Sequence, residues 1–383
     1  MPWEVLPVSE LRLAFVHQVV TLHRPVPQAC ADFRISRKTG YKWLRRYREG
    51  ATDGLNDVPR RPHRSPARSA DDLEAAILRV RDTYGWGPRK IHAYLKDQTR
   101  TRCCIRTVAD ILRRRGRVGP RPRVEPAPVR FFERSRPNEL WQCDFKGPIE
   151  VGRRTVYPFT VLDDHSRSLL AVRPGTDKTM GTAFEALWAA FGEFGLPERM
   201  LCDNGFGSPR PEIPGVSWFE ARLIRLGIGT SHGRPYHPQT RGKVERLHGT
   251  FEAEVWPHVR RDTIEHFDED VNRWRCEVYN PIRPHESLGD LPPLSRFRPS
   301  PRPRPARLGS ARLPEVEYPE GSELRRVRGS GHVLLRGCTV RVGSGLIEEW
   351  VRVEDRGHEV AIYYGWKEVR CLPAAGMAAG RSL

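Results

Sequence analysis

The sequence predicts a multidomain protein with an all-α N-terminal arm of two tandem helix-turn-helix units, a central α/β core and a small all-β tail. Three observations carry that prediction. Apolar residues recur at steps of three and four through the first 117 residues, in segments whose last helices are studded with arginine. Strand-like and helix-like text alternates from 137 to 290, and short Val-rich runs separated by glycine fill 323–370. A chain of 383 residues is long enough for two to four domains, and 38% hydrophobic against 29% charged residues excludes wholesale disorder.

Charge is distributed unevenly. The chain carries 65 Lys and Arg against 47 Asp and Glu, a net +18. By segment this is +16 over residues 1–136, −4 over 137–290 and +6 over 291–383. A basic arm favours phosphate contacts, because each neutralised phosphate releases condensed counterions; a solvated surface without a partner is the competing explanation. Two Pro- and Arg-rich stretches, RVGPRPRVEPAPVRFFERSRP and PPLSRFRPSPRPRPARLGSARLP, mark the breaks and read as extended spacers. The expected domains are therefore 1–60, 66–117, 137–290 and 321–373, with linkers at 118–136 and 291–320.

In the front segment, Leu11, Ala14, Phe15, Val19 and Leu22 form one helical stripe. Pro27 opens a short second helix through Ala29, Cys30 and Phe33. Ser36 caps a third that carries Tyr41, Trp43, Leu44 and Tyr47 and stops at Gly50. That third helix bears Arg37, Lys38, Lys42, Arg45 and Arg46, as a helix entering the major groove would. A similar layout follows: Ser69 with Asp72 resembles a capping box, Pro88 starts a helix, and Ile105, Val108, Ile111 and Leu112 stripe a last one. This unit offers Arg106, Arg113 and Arg114 to DNA. A pair of protein-binding helical bundles is the alternative.

Three carboxylates stand out in the middle segment. Asp144 lies in the strand text LWQCDFKG, where an unpaired charge among apolar neighbours is costly. Asp203 ends the apolar strand ERMLC and precedes an Asn204-Gly205 turn. Glu245 lies on a helix opened by Pro238, whose turns stack Arg241, Glu245, His248 and Glu252 on one side. Carboxylates on two strands and a helix converge to suit hard divalent cations, and two such ions clamp the oxygens of a phosphoryl displacement. Turn chemistry for Asp203 and a solvated helix face for Glu245 are the plain alternatives. Asp163 and Asp164 also follow an apolar strand; they read as turn and capping residues with Arg167 as their ion-pair partner.

WQCDF, LCDNG and HPQTRGKVERLHGTFEAE, with YNPIRPHESLG downstream, resemble the integrase core of insertion-sequence DDE transposases in the retroviral-integrase superfamily. SRKTGYKWLRRYREG followed by YGWGPRKIHAYL resembles their paired helix-turn-helix arm, and the resemblance covers roughly residues 10–295. It implies an RNase H-like core and a metal-binding catalytic triad of Asp144, Asp203 and Glu245. With that triad it implies two Mg²⁺ or Mn²⁺ ions, Asp144 bridging them. It further implies DNA contacts by His237, Gln239 and Lys243, the last toward a terminal phosphate. Cys143 stands where relatives often carry Met, a neutral change if it packs inward. The 42 positions from Asp203 to Glu245 exceed the usual spacing, an excess that falls in GFGSPRPEIPG.

The tail suggests a small SH3-like barrel that binds DNA or a partner subunit, or else a purely structural cap. The implied activity is DNA transposition: binding terminal inverted repeats of double-stranded DNA, cleaving the ends and joining the 3′-hydroxyl to target DNA, with at least a homodimer at synapsis. A DNA-binding regulator with a non-catalytic core and a plain metal nuclease are the alternatives. No run approaches a membrane span and no secretion signal is visible, so a cytoplasmic, nucleoid-associated bacterial protein is expected. Its eight scattered cysteines are expected to stay reduced.

Overall fold

The computed structural model describes residues 7–57, 69–117, 133–202, 206, 215–232, 242–305 and 313–377. The chain divides into two compact units, Met1–Arg68 and Ser69–Leu383.

The first unit holds α1 (Val8–Val20), α2 (Val26–Asp32) and α3 (Arg37–Gly50). Pro27 sits in the first turn of α2, and the Ser36 hydroxyl accepts the Thr39 N–H to cap α3. Phe15, Val16, Ala29, Cys30, Trp43, Leu44 and Leu55 form the core. The inward face of α1 differs from the expected stripe: Leu11 and the following Leu22 are exposed, while Val16 is buried. The reason is Arg12, whose guanidinium lies 3.9 Å from the Trp43 ring centroid and donates to the Leu55 carbonyl. A cation–π contact thus occupies the place an apolar side chain would fill.

The second unit opens with α4 (Asp71–Tyr84), α5 (Pro88–Gln98) and α6 (Ile105–Arg114), packed around Ile77, Trp86, Ile91, Leu95, Val108, Ile111 and Leu112. Pro88 begins α5 as expected, but Ser69 caps nothing: α4 starts after Ala70, with Asp71, Asp72 and Glu74 in its first turn. Those carboxylates favour the positive end of the helix dipole without a capping hydroxyl.

This trio is built onto the core that follows. Glu254, nearly buried, accepts from the Trp86 indole at 3.0 Å and pairs with both Lys90 and Arg283. The Arg89 guanidinium reaches Asp290 and Glu286, and Val278 and Ile282 join the helical core.

The core contains β1 (Trp141–Phe145), β2 (Ile149–Val151), β3 (Arg154–Asp163), β4 (Leu169–Gly175), α7 (Met180–Phe194), β5 (Arg199–Cys202), α8 (Trp218–Arg225), β6 (Gly229–His232), α9 (Gly242–Glu254) and α10 (Ile264–Arg273). β3 pairs antiparallel with β1, β2 and β4, whereas β1, β5 and β6 run parallel. Side chains alternate across the strands. Trp141, Cys143, Phe159 and Val161 pack under α7 and α8, and Leu162, Leu169 and Val172 pack under α9 and α10. The result is a helix–sheet–helix sandwich.

The stretch from 292 to 305 is a strap rather than the expected extended spacer. Phe297 is buried in the core, Arg302 donates to the carbonyls of Pro197, Leu226 and Gly227, and Arg304 donates to that of Trp188. Arg302 thus satisfies carbonyls just past the C-terminal end of α8, and Arg304 reaches a carbonyl within α7. Gly195 makes room: its φ is +78°, and a Cβ there would lie 2.6 Å from the Ser300 carbonyl oxygen.

The tail is all-β. It comprises β7 (Glu323–Arg326), β8 (His332–Leu335), β9 (Cys338–Arg341), β10 (Trp350–Asp355), β11 (Glu359–Tyr364) and β12 (Lys367–Pro373). They form a four-stranded antiparallel sheet in the order β12-β11-β10-β7 and a separate β8-β9 hairpin. Backbone bonds from Val216 to Val342 and from Gly345 to Val216 fasten the tail to the core. Glycine is required at 343, where a Cβ would fall 2.1 Å from the Val216 nitrogen. Among the described residues no helix is long and apolar enough to cross a membrane, and all eight cysteines are free.

Replacing Glu254 by Ala strands Lys90 and Arg283 against each other without their shared anion. Chemical denaturation of Glu254→Ala is expected to show a loss of about 3–5 kcal/mol; a loss under ~1 kcal/mol would remove Glu254 from this role.

Candidate active site

Asp144 is half-buried on β1, on the face turned toward α9, and is level with Thr160 of β3. The Thr160 hydroxyl lies 3.1 Å from the Asp144 backbone carbonyl and 3.1 Å from His248 Nε2. A carbonyl oxygen only accepts, so the single hydroxyl proton goes to Asp144 and Nε2 of His248 must carry a hydrogen. Burial, reinforced by nearby Lys146, lowers the His248 pKa to about 4. At neutral pH the ring is therefore the uncharged tautomer with its proton on Nε2.

Glu245 precedes His248 by three residues, which puts it on the same flank of α9, exposed to solvent. One turn beyond His248, Glu252 receives the Lys146 ammonium, and that bond holds the Glu252 carboxyl below its usual range. Val244, Leu247 and Phe251 seat the opposite flank of α9 in the core. Of the stack foreseen in the sequence, His248 is directed at Thr160 of β3 and Glu252 at Lys146 just past β1, while Arg241 lies outside the described residues. The sequence pointed to His248 only as a member of that stack. Its partner Thr160 was missed, although its alternation with Phe159 and Val161 marked it as a polar residue on the α9 side.

β5 lies beside β1 with Met200 level with Trp141 and Leu201 level with Gln142. At its end the Cys202 sulfur is 3.2 Å from that of Cys143, which packs inward, the condition under which its replacement of Met is neutral. Asp203, Asn204, Gly205, His237 and Gln239 lie outside the described residues. Among the described residues there is no cluster of three metal-ligating side chains.

A second carboxylate centre lies at the end of β3, where Asp163 and Asp164 are fully buried. Asp163 accepts from the Asn138 N–H and from both the N–H and hydroxyl of Ser166; burial nonetheless raises its pKa. Asp164 accepts from the Arg134 N–H and from Gln142 Nε2 at 2.6 Å, and it binds the Lys243 ammonium. Arg167 is not the ion-pair partner expected for these carboxylates: its guanidinium pairs with Glu133 at 3.0 Å and donates to the Asp164 backbone carbonyl. Lys243, expected at a DNA phosphate, is seated on Asp164 within the protein, and burial lowers its pKa to about 8.

The arginines and lysines assigned to DNA fall into two groups. Arg37, Lys38, Lys42 and Arg45 are exposed on α3, and the Arg106 side chain is 90% exposed. The remaining three are engaged in the fold. Arg46 donates to the Asn56 carbonyl, Arg113 pairs with Asp110, and Arg114, together with Arg115, closes on buried Glu74. Arg114, whose side chain is still 46% exposed, thus also serves as a counter-ion of a buried acid.

The depressed His248 pKa has a defined sign. The folded chain holds the ring neutral while the unfolded chain protonates it near pH 6.5, so its contribution is present above that pH and is lost as pH falls toward 4. Denaturant melts at pH 7 and pH 4.5 are expected to show a smaller acid-induced loss of stability in His248→Gln than in the wild type.

The integrase core domain family matches residues 134–238, and a second integrase core description matches 226–293. Helix-turn-helix and homeodomain-like descriptions match 11–63 and 39–112. The chain is 24% identical over 60% of its length to an uncharacterised protein of insertion element IS476 from Xanthomonas euvesicatoria. It is 23% identical over 67% of its length to the transposase of Tn552 from Staphylococcus aureus, and 26% over 49% to the transposase of IS1202 from Streptococcus pneumoniae. It spans 65%, 60% and 41% of those relatives' own lengths. The HTLV-2 integrase catalytic core domain solved with magnesium is similar at 17% identity and a TM-score of 0.33, over 43% of this chain and 99% of that one. With integrase core matches running from 134 to 293 and helix-turn-helix matches ahead of them, the chain carries an integrase core behind helix-turn-helix domains and is similar to insertion-sequence transposases.

Proposed function

We propose that the chain is a DNA transposase that binds the terminal inverted repeats of a mobile element, cleaves its ends and joins the freed 3′-hydroxyl to target DNA. The observation that supports this reading is the Thr160–His248 link, which seats α9, the helix of Glu245, against the strand pair that carries Asp144. Asp144, Asp203 and Glu245 would hold the divalent cations. Their donor set fits: carboxylate oxygens suit Mg²⁺ or Mn²⁺, and Asp144 is fixed in a strand while Glu245 faces solvent. When bound, two such ions supply Lewis-acid stabilisation to the reacting phosphate and acidify the attacking water or hydroxyl.

The chain's own residues do the positioning. The neutral imidazole of His248 donates to Thr160, which fixes the Asp144 backbone, and the Asp164–Lys243 pair anchors the first turn of α9 two residues before Glu245. The exposed cations of α3 would bind phosphates and base edges of the element end. The β tail, read as a small SH3-like barrel, would add backbone contacts. Two ends held in one complex call for a homodimer or a larger assembly. Location in the cytoplasm with the nucleoid follows from that substrate.

The experiment is metal-dependent joining of a labelled element end into plasmid DNA. Asp144→Asn, Asp203→Asn and Glu245→Gln are expected to abolish cleavage and joining while end binding persists. Cleavage without joining by the wild type would indicate a nuclease, and binding alone a regulator. In the same assay His248→Ala is expected to lose about 10–100-fold, the range for residues that orient metal ligands, and His248→Gln, which keeps an N–H donor, to lose less. Equal rates in His248→Ala and the wild type would remove the imidazole from the site.

A further inference from the structure

The core and the β tail enclose a cleft of about 570 Å³ at the outer edge of the sheet, away from the carboxylates. Its floor is the start of β5 and β6. Its roof is the hairpin turn between β11 and β12, where Trp366 and Lys367 bend back onto the core. Trp366 donates its indole N–H to the Ile224 carbonyl at 3.0 Å, yet the residue remains 56% exposed. A large aromatic plane is thus held in one orientation and left uncovered.

Two cations stand beside it. Lys367 donates to the Thr230 hydroxyl at 2.7 Å and has no carboxylate ion pair among the described residues. Burial lowers its pKa, with Glu220 pulling the other way. Arg199 lies against Gly229, the residue before Thr230: a Cβ at 229 would come 3.2 Å from Arg199 Cγ. It makes no ion pair among the described residues. The one carboxylate on the rim, Glu198, is already taken by Arg136, at 2.5 and 3.1 Å. A half-buried ammonium and an exposed guanidinium, set beside the neighbouring residues Thr230 and Gly229 of β6, stand next to an open aromatic face.

We propose that this cleft holds one nucleotide of an unpaired DNA strand, its base stacked on Trp366 and its phosphate between Lys367 and Arg199. Every base offers a π-face, so such a site grips a strand without reading its sequence. An acidic peptide would engage the two cations but has no use for the fixed indole plane. The cleft shares no residue with the carboxylate site, so loss of strand joining leaves this inference intact, and the reverse.

The test uses the full chain and a labelled oligothymidine of about twelve nucleotides at fixed salt. Trp366→Ala is expected to bind on the order of tenfold more weakly, and Lys367→Met and Arg199→Gln to weaken binding with a shallower salt dependence. Trp366→Phe, which keeps an aromatic face, should retain most of the affinity, and binding of duplex element ends should not change. Arg199→Gln removes no side-chain hydrogen bond or ion pair among the described residues, so it carries the test if Trp366→Ala undocks the tail. Unchanged oligothymidine affinity in both Trp366→Ala and Arg199→Gln would overturn the proposal. So would polyglutamate that competes equally well on the wild type and on Trp366→Ala.

Discussion

Everything the site is asked to do depends on how α9 is seated across the β1–β3 pair. Three kinds of interaction fix it. Val244, Leu247 and Phe251 bury one flank, Lys243 is drawn onto Asp164 at the first turn, and His248 and Glu252 bond to Thr160 and Lys146 across the other flank. Hydrophobic burial holds the helix down but specifies its rotation loosely. The polar contacts supply the rotation, because a slip of one residue would move Glu245 about 100° around the helix and away from Asp144.

The same logic explains why so much charge in this chain is structural. Buried Glu74 and nearly buried Glu254 each gather more than one cation, and each sits where helices meet. Such hubs punish the loss of one partner far more than they stabilise as a set, so they specify an arrangement of helices. Through Glu254 the helices α4 to α6 become part of the catalytic body. Exposed cations lie on α3 in the first unit, and Arg199 and Lys367 line the cleft in the second.

Much of this was legible in the sequence. Period-two and period-3.6 patterns located the core strands and helices, and turn and cap chemistry located Ser36, Pro27 and Pro88 at helix starts. Asp144 and Glu245 were singled out by where they sat in those elements. Most of the differences share a cause, side chains whose partners are distant in sequence. Arg12 takes an apolar position only because Trp43 folds over to it. Arg114 reads as a DNA ligand alone, and its bond to Glu74, one turn before Ile77 on the buried side of α4, stays hidden. The 292–305 stretch has spacer composition, and only the carbonyls of Trp188, Pro197, Leu226 and Gly227 make it a strap. Short β2 escaped notice because three residues carry too little pattern.

In the proposed function Asp144, Asp203 and Glu245 form one cation site, and the seat of α9 sets the place of Glu245 in it. Titrating Mn²⁺ into the full chain by electron paramagnetic resonance tests it without relying on catalysis. Saturable binding is expected in the wild type and its loss in Asp144→Asn and in Glu245→Gln. Tight binding that survives both substitutions would contradict it.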